Sequence, residues 1–145
     1  VQWGALDVLI VDLPPGTGDV QMTLAQKAQV DGAIIVSTPQ DVALLDARKG
    51  IDMFNQLKVP IVGMIENMST HICTNCGYEE HVFGHGGVKA EAEKLGVPLL
   101  AEVPLDLEIR LASDGGAPIT VSQPDSPQAQ SFQAIAKQLI EQGVA

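Results

Sequence analysis

Four short runs of aliphatic residues, each followed by a stretch of helical periodicity, constrain this chain most. They are residues 7–12 (Asp-Val-Leu-Ile-Val-Asp), 32–37 (Gly-Ala-Ile-Ile-Val-Ser), 60–66 (Pro-Ile-Val-Gly-Met-Ile-Glu) and 99–103 (Leu-Leu-Ala-Glu-Val). Apolar runs of this length suit strands covered on both faces. A helix is expected over residues 20–29. Thr38 and Asp41 offer caps for another running to residue 57, with Leu44, Ala47, Ile51 and Phe54 on one face. Residues 87–95 read as a helix closed by Gly96 and Pro98, and Asp106 caps a further helix stopped by Gly115 and Gly116. Ser126 as cap and Pro127 in the first turn open a last helix, with Phe132, Ile135, Ala136, Leu139 and Ile140 on one stripe. Buried strands alternating with amphipathic helices predict an α/β fold: a mostly parallel sheet with right-handed crossovers, flanked by helices.

Composition supports that layering. Hydrophobic residues make up 46% of the 145 and aromatic residues only 3%, so the core must be aliphatic. The length suits a single domain over residues 1–145. A formal net charge of −10 opposes non-specific binding to nucleic acid or to an anionic membrane. The longest apolar run, residues 59–65, is strand-sized, so no membrane span is expected. The first residues carry no secretory-signal pattern, and they run from Val1 almost directly into a core strand, as in a chain cut from a longer one.

Two places carry chemistry. Asp12 ends the first apolar run and is followed by Leu-Pro-Pro-Gly-Thr-Gly-Asp. Open parallel sheets bind ligands beyond the carboxyl ends of their strands. A carboxylate there suits a hydrated Mg²⁺, and neighbouring glycines let backbone N–H groups approach a phosphate. A capped strand followed by a Pro/Gly turn explains the same residues without a ligand. The second place is the long irregular stretch of residues 68–86, which holds both cysteines, Cys73 and Cys76. Their two-residue gap is too tight for a useful structural disulfide. It points to the reducing cytoplasm and to a metal or redox role. Two thiolates supply half of a four-ligand site, and a symmetric dimer would complete it. All three histidines, His71, His81 and His85, surround the pair, so Cys73, Cys76, His81 and His85 could instead form a zinc knuckle. A dithiol redox pair is a third option.

The string Asp-Leu-Pro-Pro-Gly-Thr-Gly-Asp over residues 12–19 resembles the Walker B and switch II segment of the Mrp/Nbp35 (ApbC-like) iron–sulfur cluster carrier ATPases, deviant Walker A members of the P-loop NTPases. The likeness extends to Glu66-Asn-Met-Ser69, Cys73-Thr-Asn-Cys76, Phe83-Gly84, Gly86-Gly87, Val103-Pro-Leu-Asp106 and Gly116-Ala-Pro118. It implies a P-loop NTPase-like three-layer sandwich and a set of site roles. Asp12 would contact Mg²⁺ through water, Gly16 would bring its backbone near the γ-phosphate, and Asn67 would bond the adenine edge. Pro104 and Asp106 would flank the base. Cys73 and Cys76 would hold a 4Fe–4S cluster bridging a homodimer, with zinc as the alternative metal. The activity implied is ATP binding and hydrolysis coupled to delivery of clusters to apo-proteins. The alternative is a zinc-stabilised binding module without catalysis. The family's Gly-Lys-rich phosphate loop does not occur in these 145 residues, so the chain alone is expected to bind ATP weakly or not at all. In the family's sheet a further strand lies between those corresponding to residues 7–12 and 32–37. Those two segments are therefore expected either to pair directly or to leave a cleft. The last helix carries one basic residue, Lys137, which argues against a membrane-tethering helix.

Overall fold

A computed structural model describes residues 2–16 and 18–144. The elements in chain order are α1 (Asp19–Lys27), β1 (Ala33–Ser37), α2 (Asp41–Gln56), β2 (Ile61–Asn67), β3 (His71–Ile72), β4 (Glu79–Glu80), α3 (Gly87–Leu95), β5 (Leu99–Val103), α4 (Leu107–Asp114), α5 (Ile119–Ser122) and α6 (Pro127–Glu141). β1, β2 and β5 form a parallel sheet in that order, and β3 and β4 form a separate antiparallel hairpin. Helices lie on both faces, as the alternation of strand and helix signals requires.

Side-chain alternation sends Ile34 and Ile35, and Ile65 and Met64, to opposite layers of the sheet. Successive residues point to opposite faces. Ile35 and Met64 meet Leu44 and Ile51 of α2 and Val88 and Ala92 of α3. Ile34, Val62, Ile65, Leu100 and Val103 meet Ile135 and Leu139 of α6 on the other side. Met64 is fully buried, which contributes about 1.5–3 kcal/mol. The packing is close where strand meets strand: a Cβ on Gly63 would sit 2.5 Å from Leu100 Cγ.

Several sequence expectations need correction. Residues 7–12 form no strand. Among the described residues they have no strand neighbour, and Val8, Leu9, Ile10 and Val11 are all exposed, Ile10 at 81%. A strand is stabilised by the ladder it joins. β1 pairs with β2 on one edge only, and the apolar run does not reach its other edge. The expected stripe on the last helix is narrower than its sequence: Ile135 and Leu139 are buried, whereas Phe132, Ala136 and Ile140 flank the β5 contact in solvent. Neither Thr38 nor Asp41 caps α2. Gln40 takes that position without a side-chain bond, and Asp41 instead lies in the first turn, where its charge favours the helix dipole. The stretch 68–86 contains the β3–β4 hairpin.

One ion pair fastens α3 to α2. Arg48 Nε donates to Glu91 Oε1 at 2.9 Å and Arg48 Nη2 donates to Oε2 at 2.7 Å, a bidentate arrangement. Lys94 Nζ stands 3.6 Å from the same oxygen. The Arg48 hydrogen bonds hold the Glu91 carboxyl below its ordinary range, against the opposing effect of burial. A carboxyl depressed in the folded state stabilises the fold fully above its ordinary value of 4.5, and that stability is lost as pH falls through the lower folded value. Glu91→Gln should therefore lower the urea midpoint at pH 7, and the difference from wild type should shrink as pH is taken toward about 3. A difference that stays constant across this range would show that the charge of Glu91 does not contribute.

Candidate nucleotide edge and cysteine hairpin

Asn67, Pro104 and Gly16 lie at one edge of the sheet, at the carboxyl ends of its strands. Ser37 ends β1, Asn67 ends β2, and Val103 ends β5 in register with Asn67. Pro104 follows directly and is half-buried. This is the edge where open parallel sheets bind ligands.

Gly16 reaches the same edge. It shares a shallow cleft with Val36, Ser37, Thr38 and Asp46. Its φ of +92° is a left-handed conformation that a side chain would strain. Gln21 of α1 holds the loop in shape. Only 3% exposed, it donates from Nε2 to the carbonyls of Pro14 at 2.6 Å and Gly16 at 3.0 Å. Asp12 is exposed, and Thr17 lies outside the described residues. One carboxylate with adjacent glycine amides fits one side of a magnesium–phosphate site. These residues supply no lysine for the phosphates.

Asn67 and Asp106 are engaged locally. Asn67 Oδ1 accepts from the Met68 amide at 3.0 Å. Asp106 caps α4, its Oδ1 accepting from the amides of Glu108 at 2.8 Å and Ile109 at 3.4 Å, while Oδ2 accepts from Gln128 Nε2 at 2.8 Å. The capping role expected from sequence is what the geometry displays. Asp106→Ala should cost about 0.5–2 kcal/mol, with Asp106→Asn restoring most of it. Thermal unfolding checks this; an unchanged midpoint in the alanine variant would contradict the cap.

The cysteines sit on the β3–β4 hairpin. Cys73 is half-buried, Cys76 is exposed, and both are free. The Cys73 amide donates to Tyr78 O at 2.9 Å and the Gly77 amide donates to Cys73 O at 2.8 Å, which closes the turn. Hydrogen bonds from the amides of Asn75 and then Cys76 hold the Cys73 thiol below its ordinary range, with His71 adding to the effect. The thiolate is the form that ligates metal, and the shift runs in the direction that favours it.

Among the described residues, no third His, Cys, Asp or Glu joins the pair in a group able to hold a metal ion. The zinc knuckle of Cys73, Cys76, His81 and His85 is therefore not assembled. His81 Nδ1 lies 3.2 Å from Ser69 O, and its ring packs against that of His85 with centroids 4.3 Å apart. A carbonyl only accepts, so the proton of His81 resides on Nδ1.

Glu66 carried no role in the sequence reading, although it is the charged residue at the end of an apolar strand. It is fully buried. Its Oε2 accepts from the Val88 amide in the first turn of α3 at 3.0 Å, and Oε1 has no partner among the described residues. The bond ties the two ends of the cysteine-bearing stretch together, 22 residues apart. Gly87 lets the start of α3 pack closely on the loop before α2: a Cβ there would meet Pro39 O at 2.6 Å.

The model of the NUBPL iron-transfer P-loop NTPase family matches residues 1–140. The chain belongs to that family. An iron-sulfur cluster carrier protein of Pseudomonas fragi is 53% identical over 134 residues, covering 92% of this chain and 47% of the relative. The iron-sulfur cluster transfer protein NUBPL of Dictyostelium discoideum is 53% identical over 140 residues, covering 97% and 43%. The chain thus spans less than half the length of these relatives. Among solved structures, the nucleotide-binding protein of Archaeoglobus fulgidus in complex with ADP matches with a TM-score of 0.72 at 39% identity, covering 87% of this chain and 51% of that one.

Proposed function

We propose that this protein is an iron–sulfur cluster carrier whose Cys73 and Cys76 hold a 4Fe–4S cluster jointly with the same pair on a second copy. The observation that carries the reading is the isolated thiol pair on the turn of the hairpin, with no third ligand beside it among the described residues. Two thiolates leave half of a four-ligand cluster open, and a two-fold axis supplies the rest. A cluster between two copies can leave by ligand exchange: thiolates of an apo-protein replace Cys73 and Cys76 on iron one after another, with no change in oxidation state. The likeness to named carrier and transfer proteins supports this role.

ATP binding and hydrolysis belong to the same proposal. Asp12 would hold a water of Mg²⁺, Gly16 would lie beside the terminal phosphate, and Asn67 with Pro104 and Asp106 would border the base. Bound magnesium would neutralise charge on the transferred phosphoryl group. The likeness to the Archaeoglobus nucleotide-binding protein, solved in complex with ADP, supports nucleotide binding. Free adjacent thiols suit a reducing compartment, the cytoplasm.

Transfer is the test. The full-length gene product, loaded anaerobically with iron and sulfide, should restore activity to an apo-enzyme that needs a 4Fe–4S cluster, and faster with Mg-ATP than without. Absence of transfer, with the cluster still on the carrier, would reject the carrier role.

A further inference from the structure

The exit of β2 and the exit of β5 do not diverge after their last paired residues. They stay hydrogen-bonded up to the cysteine hairpin. The Ser69 amide donates to Val103 O at 3.0 Å, and Ser69 Oγ donates to the same oxygen at 3.2 Å. The Leu105 amide donates to Thr70 O at 2.8 Å. His71 Nδ1 then lies 3.1 Å from Leu105 O and, facing a carbonyl, must be the donor. The hairpin's far side returns to the same segment through His81 and Ser69 O. Residues 103–106, assigned above to the nucleotide base, are therefore bonded on one side to α4 and α6 through Asp106. On the other side they are bonded to the segment that carries Cys73 two residues beyond His71.

We propose that His71 is a positioning residue that sets the cysteine hairpin on the base-flanking loop, so that nucleotide at Pro104–Asp106 and cluster at Cys73–Cys76 alter each other's affinity. The inference rests on the functional reading above and adds the physical connection between its two sites. A loop held by four hydrogen bonds cannot shift toward a base without moving the hairpin or breaking a bond. Linkage is reciprocal: if nucleotide changes cluster affinity, the cluster changes nucleotide affinity by the same factor.

The test uses the full-length gene product and ADP as probe. The ADP dissociation constant is measured on apo protein and on protein loaded with the 4Fe–4S cluster. The two values are expected to differ by about fivefold or more in wild type. In His71→Phe, which keeps a ring and removes the donor, the ratio should fall to near one, while ADP still binds the apo form and the cluster still loads. His71→Asn, which keeps a donor near the Nδ1 position, should retain most of the ratio. Ser69→Ala, which removes one bond to Val103 and keeps the amide, should give an intermediate value. A general loss of stability would weaken both affinities without moving their ratio. If His71→Phe does not load cluster, His71→Asn and Ser69→Ala decide: ratios equal to wild type in both overturn the proposal. A wild-type ratio near one, or a full ratio in His71→Phe, overturns it while leaving the carrier reading in place. Failure of the wild type to bind either ADP or cluster removes the carrier reading and this inference together.

Discussion

With Cys73→Ala and Cys76→Ala combined, anaerobic reconstitution of the full-length gene product should leave iron and the visible sulfur-to-iron absorbance at background, while the unfolding midpoint changes little. The two expectations follow from the same geometry. Both sulfurs stand on the hairpin, outside the two aliphatic clusters that hold the sheet to its helices. Surface substitutions of this kind usually alter stability by about 0.5 kcal/mol or less. The ligand set, by contrast, would be lost entirely. Each single variant should also fail, because two copies would then offer two thiolates where four are needed. Iron retained by the double variant would move the site elsewhere. Retained metal that vanishes only with His81→Ala or His85→Ala would favour zinc, against the orientation of His81 toward Ser69 O.

Asp12→Asn in the full-length gene product should reduce Mg²⁺-dependent ATP hydrolysis by on the order of 10² or more. The substitution keeps shape and removes the charge that would hold the hydrated metal. Asp12 is exposed and lies outside both core clusters, so folding should be spared. Hydrolysis at the wild-type rate would show that Asp12 is not the magnesium carboxylate.

What the sequence revealed and what it hid divide along physical lines. Helix ends were legible where the signal is local. Ser126 accepts from the Ala129 amide at 3.1 Å with Pro127 in the first turn, and Asp106 caps α4. The buried runs at β1, β2 and β5 were legible because two covered faces demand unbroken aliphatic sequence. Residues 7–12 have the same composition and form no strand, because a strand depends on a neighbour that composition cannot guarantee. Of the candidate site, the residue types and the shared sheet edge were readable in the chain. The contacts of Gln21, Glu66 and His71 were not. Each joins a side chain to backbone elsewhere, over 34 positions in the case of His71 and Leu105, and no periodicity records such a pairing.

The mass of the loaded protein under non-denaturing conditions, combined with iron and sulfide analysis of the same sample, decides whether two copies share one cluster. The expected species is a dimer carrying about four irons and four sulfides, or about two irons per chain, and it should revert toward apo protein when a chelator takes the iron. A monomer bearing a complete metal site, or one zinc ion per chain with no sulfide, would contradict the shared cluster on Cys73 and Cys76.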